Sequence, residues 1–338
     1  KMGVTIKDVA KKAGVSIASV SRVINDSKPV APETKEKILK VIDETGYKPN
    51  AMARGLKKNE SGLIGLITPD MQNGTFSELV KGIESVTEKN SMSLIVANSK
   101  GEIEKELKSL HIFKEQQLDG IIFSGVKFTQ KHKDYFDRYQ VPTVVVSQNF
   151  PGSGLPHLAP DNIKAAERAV KFLIENNHRK IAMFHGPFYD QSSGKERYLG
   201  FKKALKSAGI KENCDYVKEV EFSIDSGYQK MQELINQVDD LPTALFAASD
   251  RIAIGALDCC IDNGLKVPED ISIIGFDDIE LATVVRPKIT TIRVDYVELG
   301  RKVVEVLLAK IKNKEVKAEC KKIDFELVER ETVKKRIN

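Results

Sequence analysis

From Leu63 onward the chain repeats one texture, and that texture restricts the fold more than any other feature. Compact apolar runs (LIGLIT, LIVAN, GIIFSG, TVVVS, KIAMFHG, TALFAAS and ISIIGFDD) alternate with amphipathic stretches of helical spacing. A short apolar run bounded by turn residues reads as a strand buried on both faces. A helix after each strand carries the chain back to start the next strand in the same direction. The repetition predicts parallel sheets of βαβ units, and so many units exceed one comfortable sheet, so two lobes are expected. Open parallel sheets bind ligands beyond the carboxyl ends of their strands. The loops that matter are therefore Asp70 to Phe76, Ser147 to Phe150, Gly186 to Arg197, Phe222, Ser249-Asp250 and Asp277-Asp278.

The first 60 residues have a different character. Thr5 can cap a helix from Ile6 to Ala13 that Gly14 ends, and Ser16 can cap a second from Ile17 to about Ile24. A third starts at Pro32, favoured at a first helical position, and runs through Ile38, Leu39 and Ile42 to Gly46. Ile6, Val9, Ala10, Val15, Val20, Val23, Ile38 and Ile42 are spaced to form one small core. Charge separates the same segment from the rest. Residues 1–58 carry 13 Lys/Arg against 6 Asp/Glu, whereas the remaining 280 carry 40 against 42. A basic head on a nearly neutral body suits a polyanionic partner.

Residues 6–24 have the grammar of a helix-turn-helix, whose second helix enters the major groove and presents its N-terminal residues to base edges. Ser16, Ser19 and Ser21 are short donors for phosphate or base. Arg22 can make the bidentate contact to guanine, and Ile17 and Ala18 can press on thymine methyls. An ordinary helical hairpin with a solvated arginine would share this pattern.

The run VTIKDVAKKAGVSIASVSRVIN, followed by Gly46-Tyr47-Lys48-Pro49-Asn50 and Ala51-Met52-Ala53-Arg54-Gly55-Leu56, closely resembles the lactose/galactose repressor (LacI/GalR) family of transcriptional regulators. The likeness extends over essentially the whole chain. It implies that Ile17, Ala18 and Arg22 read an operator, with Thr5, Ser16, Ser19, Ser21 and Asn25 completing the head's contacts. It also implies a hinge helix over 50–58 carrying Asn50, Ala53, Arg54 and Leu56, with Leu56 wedged into the minor groove at the operator centre. One helix-turn-helix reads one half-site, so a homodimer on double-stranded, near-palindromic DNA is expected. The ending VERETVKKRIN carries no heptads, and a dimer rather than a tetramer is expected.

The stretches PDMQNGTFSELVKGIE, DGIIFSG, ASDRIAIGAL and VPEDISIIGFDDIELATVVRPKITTI resemble the family's effector domain, itself similar to periplasmic sugar-binding proteins. The fold class expected is thus an all-α helix-turn-helix head plus an α/β two-lobed, periplasmic-binding-protein-like effector domain. Its limits are 1–49 for the head, 50–60 for hinge and linker, and 61–332 for the body. Within the body, one lobe takes about 61–160 and 292–321, the other about 161–291 and 322–332. By the resemblance Asp70, Phe76, Ser147, Arg197, Phe222, Ser249 and Asp277 line a pocket for a small effector, a sugar or sugar phosphate. Asp277 would be the acceptor, Arg197 the donor, and Phe76 and Phe222 the platforms. Ser147, Ser249 and Lys195 depart from the lactose-type pattern and leave the ligand open.

Catalysis finds no support. His111, His132, His157, His178 and His185 form no HExxH, and no GxSxG elbow or P-loop is present. Cys214, Cys259, Cys260 and Cys320 lack metal-ligand or disulfide-framework spacing and read as small buried hydrophobes of a reducing cytosol. No metal or cofactor is expected. KMGVTIKDVA lacks the apolar stretch of a secretory signal, and no run approaches the roughly 18 apolar residues of a membrane span. A cytoplasmic, nucleoid-associated repressor of carbohydrate-utilisation genes is the expected function. The alternatives are a catabolite-control-type regulator answering mainly to a phosphorylated protein co-effector, and a transport-type sugar-binding protein, which the basic head disfavours.

Overall fold

Thr5 and Asp8 start the first helix by capping each other. The Thr5 amide donates to Asp8 Oδ2 at 2.9 Å, and the Asp8 amide donates back to Thr5 Oγ1 at 3.4 Å. The computed structural model describes residues 4–25, 28–47, 61–312 and 321–337. It divides into two compact units, Lys1–Gly62 and Leu63–Asn338.

In the first unit, α1 (Ile6–Ala13) ends at Gly14, whose φ of 66° is the left-handed conformation that glycine adopts without penalty. Helix α2 (Ile17–Asn25) follows, its start held by Ser16 Oγ, which accepts from the Ser19 amide at 3.0 Å. Helix α3 (Pro32–Thr45) opens on proline and ends at Gly46. Val9, Ala10, Ala13, Val20, Val23, Ile38 and Val41 are buried together, with Ile6, Val15 and Ile42 packed around them. Leu39, which the expected core left out, is 48% exposed, because the buried face of α3 runs through Ile38 and Val41. The hinge helix expected over 50–58, with Asn50, Ala53, Arg54 and Leu56, lies outside the described residues, as does Cys320; Cys259 and Cys260 are buried as expected, whereas Cys214 is exposed. Asn25 closes α2.

Among the described residues, the second unit contains two six-stranded sheets. The first is built from β1 (Leu63–Thr68), β2 (Ser93–Asn98), β3 (Gly120–Phe123), β4 (Thr143–Val146) and β5 (His157–Pro160). The late strand β11 (Lys321–Ile323) joins it, in the order β11-β5-β4-β3-β1-β2. The second is built from β6 (Ile181–His185), β7 (Val217–Glu219), β8 (Ala244–Ala247), β9 (Ser272–Asp277), β10 (Thr290–Val294) and β12 (Phe325–Val328), ordered β12-β10-β9-β8-β6-β7. Every pairing is parallel except β12 on β10. Strands such as Gly120–Phe123, Thr143–Val146 and Ala244–Ala247 are buried at every residue, as sheets covered on both faces require.

The crossover helices are α4 (Gly74–Thr87), α5 (Ile103–Glu115), α6 (Gln130–Tyr139), α7 (Asn162–Glu175), α8 (Arg197–Ser207), α9 (Ile224–Gln237) and α10 (Asp250–Asp262). A short α11 (Leu281–Val284) follows β9, and α12 (Tyr296–Ile311) follows β10. Helix α12 packs on α4 and on β3, β4 and β5, so it belongs to the first sheet although the strand before it belongs to the second. The two helices touch through glycine. A Cβ on Gly82 would fall 2.0 Å from the Val297 carbonyl oxygen, and one on Gly300 would fall 2.2 Å from that of Leu79. The chain passes between sheets at Asp161, Asp295 and Asp324. Asp161 and Asp295 cap α7 and α12 as they do so, accepting from the amides of Lys164 and Glu298. Among the described residues, no helix is long and apolar enough to cross a membrane.

Candidate functional site

Two surfaces carry the candidate residues, one on each unit. On the head, the core claims Val20 and Val23 of α2 and thereby turns Ile17, Ala18 and Arg22 outward. Ile17 is 45% exposed, unusual for so large an apolar side chain, and the spacing of 17, 18, 21 and 22 keeps these residues on one helical face. Ser16 and Ser19 approach within 3.0 Å through their hydroxyls, so both are part of the cap that begins this helix. Thr5 is likewise engaged, donating its hydroxyl to Asp8 Oδ2 at 2.6 Å, and that bond holds the Asp8 carboxyl below its ordinary range. Helix α2 therefore offers a fixed convex face with an apolar leading edge and a guanidinium one turn behind it.

On the body, a cavity of about 420 Å³ opens where loops from both sheets meet. In each sheet, strand order reverses beside the first strand, next to β3 in one and next to β8 in the other, and crevices form at such switch points. Asp70, Phe76, Ser147, Arg197, Phe222 and Asp277 all line this cavity. Asp70 comes from the loop after β1, Phe76 from the first turn of α4, and Ser147 from the residue after β4. Ser147 has a φ of 60°, fixed in part by its amide donating to the Leu158 carbonyl at 2.8 Å.

Arg197 and Asp277 form the floor. Arg197 is 3% exposed, and each of its guanidinium nitrogens has a partner: Nε donates to Asn162 Oδ1 at 3.0 Å, Nη1 to the Ala248 carbonyl at 2.5 Å, and Nη2 to Asp277 Oδ1 at 3.2 Å. Its Cζ lies over the Phe276 ring, 3.6 Å from the ring centre. Tyr296 also donates its hydroxyl to Asp277 Oδ1, at 2.8 Å. Burial pushes the Asp277 carboxyl up, while Arg197 and Tyr296 pull it back toward ionisation. Burial drives the neighbouring Asp250 much higher, reinforced by the charge of Asp277. Asp250 is held by Thr291 Oγ1 at 2.6 Å and the Ile279 amide at 2.9 Å.

Two further bonds span the cleft from one sheet's loops to the other's. Arg251 Nη1 donates to Asp70 Oδ2 at 3.0 Å, and Gln148 Nε2 donates to Asp190 Oδ1 at 2.9 Å. Phe222 owes its position to a missing side chain. A Cβ on Gly186 would stand 2.1 Å from Phe222 Cζ, so only glycine lets the ring lie there.

One expected pocket residue is not on the wall. Ser249 is 4% exposed and its hydroxyl accepts from the Ile252 amide at 3.4 Å. It caps α10, and the carbonyl of the preceding Ala248 meets Arg197 instead. Lys195 is exposed and does not line the cavity. Conversely, Gln148, Tyr189, Asp190, Glu221, Arg251 and Tyr296 line it without having been singled out. Arg251 sat within the signature ASDRIAIGAL. The others belong to no motif.

Comparison with known proteins gives a consistent picture. Residues 5–50 match the model for bacterial regulatory proteins of the lacI family, and residues 170–333 match a periplasmic binding protein-like domain. Catabolite control protein A of Priestia megaterium is 37% identical over 314 residues, covering 93% of this chain and 94% of that protein. The HTH-type transcriptional repressor PurR of Vibrio campbellii (strain ATCC BAA-1116) is 37% identical over 332 residues, covering 98% and 99%. Among solved structures, the lac repressor dimer bound to operator and the anti-inducer ONPF superimposes with a TM-score of 0.89 at 28% identity, over 98% of this chain and 100% of that one.

Proposed function

The chain belongs to the lacI family of bacterial regulatory proteins, DNA-binding transcriptional regulators rather than enzymes, and from that premise we propose that it represses carbohydrate-utilisation genes under the control of a small effector held in the cleft. The effector is a sugar or a sugar phosphate. The single observation that carries this reading is the floor of the cleft, where a buried Arg197–Asp277 pair faces aromatic walls at Phe76 and Phe222. Ring faces of that kind accept the C–H side of a sugar while fixed polar groups take its hydroxyls.

In this reading Ile17, Ala18 and Arg22 contact base edges, with Thr5, Ser16, Ser19, Ser21 and Asn25 around them. Asn50, Ala53, Arg54 and Leu56 form the hinge that meets the minor groove. The working form is a homodimer on operator DNA, as the lac repressor structure is, located in the cytoplasm on the nucleoid. Effector occupancy shifts the cleft between two states that it binds unequally, which is what any such switch requires.

The test is operator release by sugars, measured for the native chain and for Phe222→Ala and Asp277→Asn. Loss of the response in both variants, with operator affinity intact, is the expected result. A response that survives both changes would refute the cleft as effector site. It would favour a second reading, a regulator answering to a phosphorylated protein co-effector, for which the 37% likeness to catabolite control protein A speaks.

A further inference from the structure

Two of the places where the chain passes between the sheets are bonded to one another beneath the cleft. Asn162 directly follows the passage at Asp161 and opens α7, which packs on the second sheet. Tyr296 directly follows the passage at Asp295 and opens α12, which packs on the first. An unbroken line of hydrogen bonds joins these two residues. Arg197 Nε donates to Asn162 Oδ1 at 3.0 Å, Arg197 Nη2 to Asp277 Oδ1 at 3.2 Å, and the Tyr296 hydroxyl to that same oxygen at 2.8 Å. Asn162, Arg197 and Asp277 are buried, and a satisfied polar line out of water holds its geometry strictly.

The last link is the one that crosses between the halves. Tyr296 belongs to the half built on the first sheet, and Asp277 ends β9 in the second. Burial and the charge of Asp277 keep the Tyr296 phenol protonated, so it remains a donor. Near the axis of a rotation, a bond is turned more than it is stretched. Hydrogen bonds prefer angles above about 150° and weaken steeply below about 120°, so this bond favours one relative orientation of the halves. The first passage is also tied to the third, because Lys322 Nζ, on β11 just ahead of Asp324, donates to Asp161 Oδ2 at 2.5 Å.

We infer that Asn162 and Tyr296 are positioning residues: with Arg197 and Asp277 they form a strut between two passages that sets the angle at which the cleft rests. Both bonds to Asp277 fall on Oδ1. A ligand group that draws this carboxylate toward itself turns it about Cβ–Cγ and takes Oδ1 away from Tyr296. The strut is thus where occupancy of the cleft would alter its angle, a consequence that rests on the cleft being the effector site.

Spin labels on the full chain read the separation of the halves. They are placed by Glu115→Cys on α5 and Lys206→Cys on α8, both exposed positions, with Cys214→Ser and Cys320→Ser removing other thiols; Cys259 and Cys260 are buried. Dilution with unlabelled chain leaves one labelled copy per assembly. Pulsed dipolar spectroscopy is expected to give one narrow separation in this background. Tyr296→Phe, which removes the hydroxyl alone, and Asn162→Ala should each broaden it and add a longer separation. Thr291→Val is the control. It removes the bond that Thr291 Oγ1 donates to Asp250 at 2.6 Å, on the same floor but wholly within the second half, and should lower the urea midpoint with the separation unchanged. A separation unmoved in both Tyr296→Phe and Asn162→Ala, or moved as far by Thr291→Val, overturns the strut. No ligand enters the measurement, so its outcome is independent of the operator-release test that judges the cleft as effector site.

Discussion

Arg197 and Asp277 meet at 3.2 Å beneath the cleft, each almost wholly buried, and each has further partners that the other does not share. Such a pair gains little over an apolar replacement of both, but removal of one member strands the other's charge. Arg197→Met is therefore expected to cost about 3–5 kcal/mol. Asp277→Asn keeps an acceptor for Tyr296 and should cost less, within about 3 kcal/mol. Urea unfolding measures both losses, and midpoints unchanged from the native chain in both variants would show that the ion pair is not what holds this floor.

Asp250 makes stability depend on pH in an unusual direction. Its folded pKa is raised above the ordinary 3.8 by burial and by Asp277, so the folded chain retains a proton that the unfolded chain has released. The group's contribution is thus greatest below the unfolded value and is lost as pH rises through the folded one. Asp250→Asn abolishes the titration while leaving an oxygen for the Ile279 amide. Its stability relative to the native chain should climb across the window that opens at the unfolded value of 3.8 and reaches up to the raised folded value. A difference that stays flat across that window would mean the carboxyl is not shifted.

Arg22 stands clear of the head's core, so Arg22→Ala should leave the head folded. In operator binding it is expected to lose about 1–3 kcal/mol of preference at one base pair per half-site. The slope of log K against log salt, about −0.9 per phosphate contact, should not change. If the slope fell by about one contact with base preference intact, Arg22 would be a phosphate ligand and not a reader.

Gly186→Ala places a methyl group where the Phe222 ring lies. The ring must swing away, at about 1–3 kcal/mol of stability. Effector affinity should fall about tenfold as the platform is lost. Adding Phe222→Leu should restore stability but not binding. Unchanged affinity in Gly186→Ala would remove Phe222 from the site.

Much of this fold was legible because its strands advertise themselves. Ile64, Leu66, Ile121, Val144, Phe184, Leu245 and Ile273 sit in apolar runs that could be nothing but buried strand, and each is. The strands that escaped notice are short and lack a continuous apolar run. HLAP at 157–160 and VKE at 217–219 become strands only because a neighbour offers a ladder, and Lys321–Ile323 finds its neighbour at Leu158–Pro160, far back in the chain. No local pattern carries information of that kind. The cleft divides in the same way. Asp70, Phe76, Arg197, Phe222 and Asp277 occupy loops that the strand pattern alone marked as important. Gln148 and Asp190 lie in marked loops but carried no signal of their own, Tyr296 lies outside those loops, and all three gain their place from what folding brings opposite them. Ser249 shows the converse: a polar residue at a strand end was a candidate for the site, but the helix it begins had the prior claim on its hydroxyl.

The three passages of the chain between the sheets, at Asp161, Asp295 and Asp324, have a mechanical consequence. Two rigid bodies on a single tether can tip, slide and twist independently. Three tethers side by side act as the knuckles of a door hinge, suppressing shear and torsion and leaving one easy swing. Energy released when a ligand draws the halves together is then channelled into one coordinate instead of being dispersed over many. A stiffening substitution at any one knuckle should resist that same swing, however far it lies from the bound molecule.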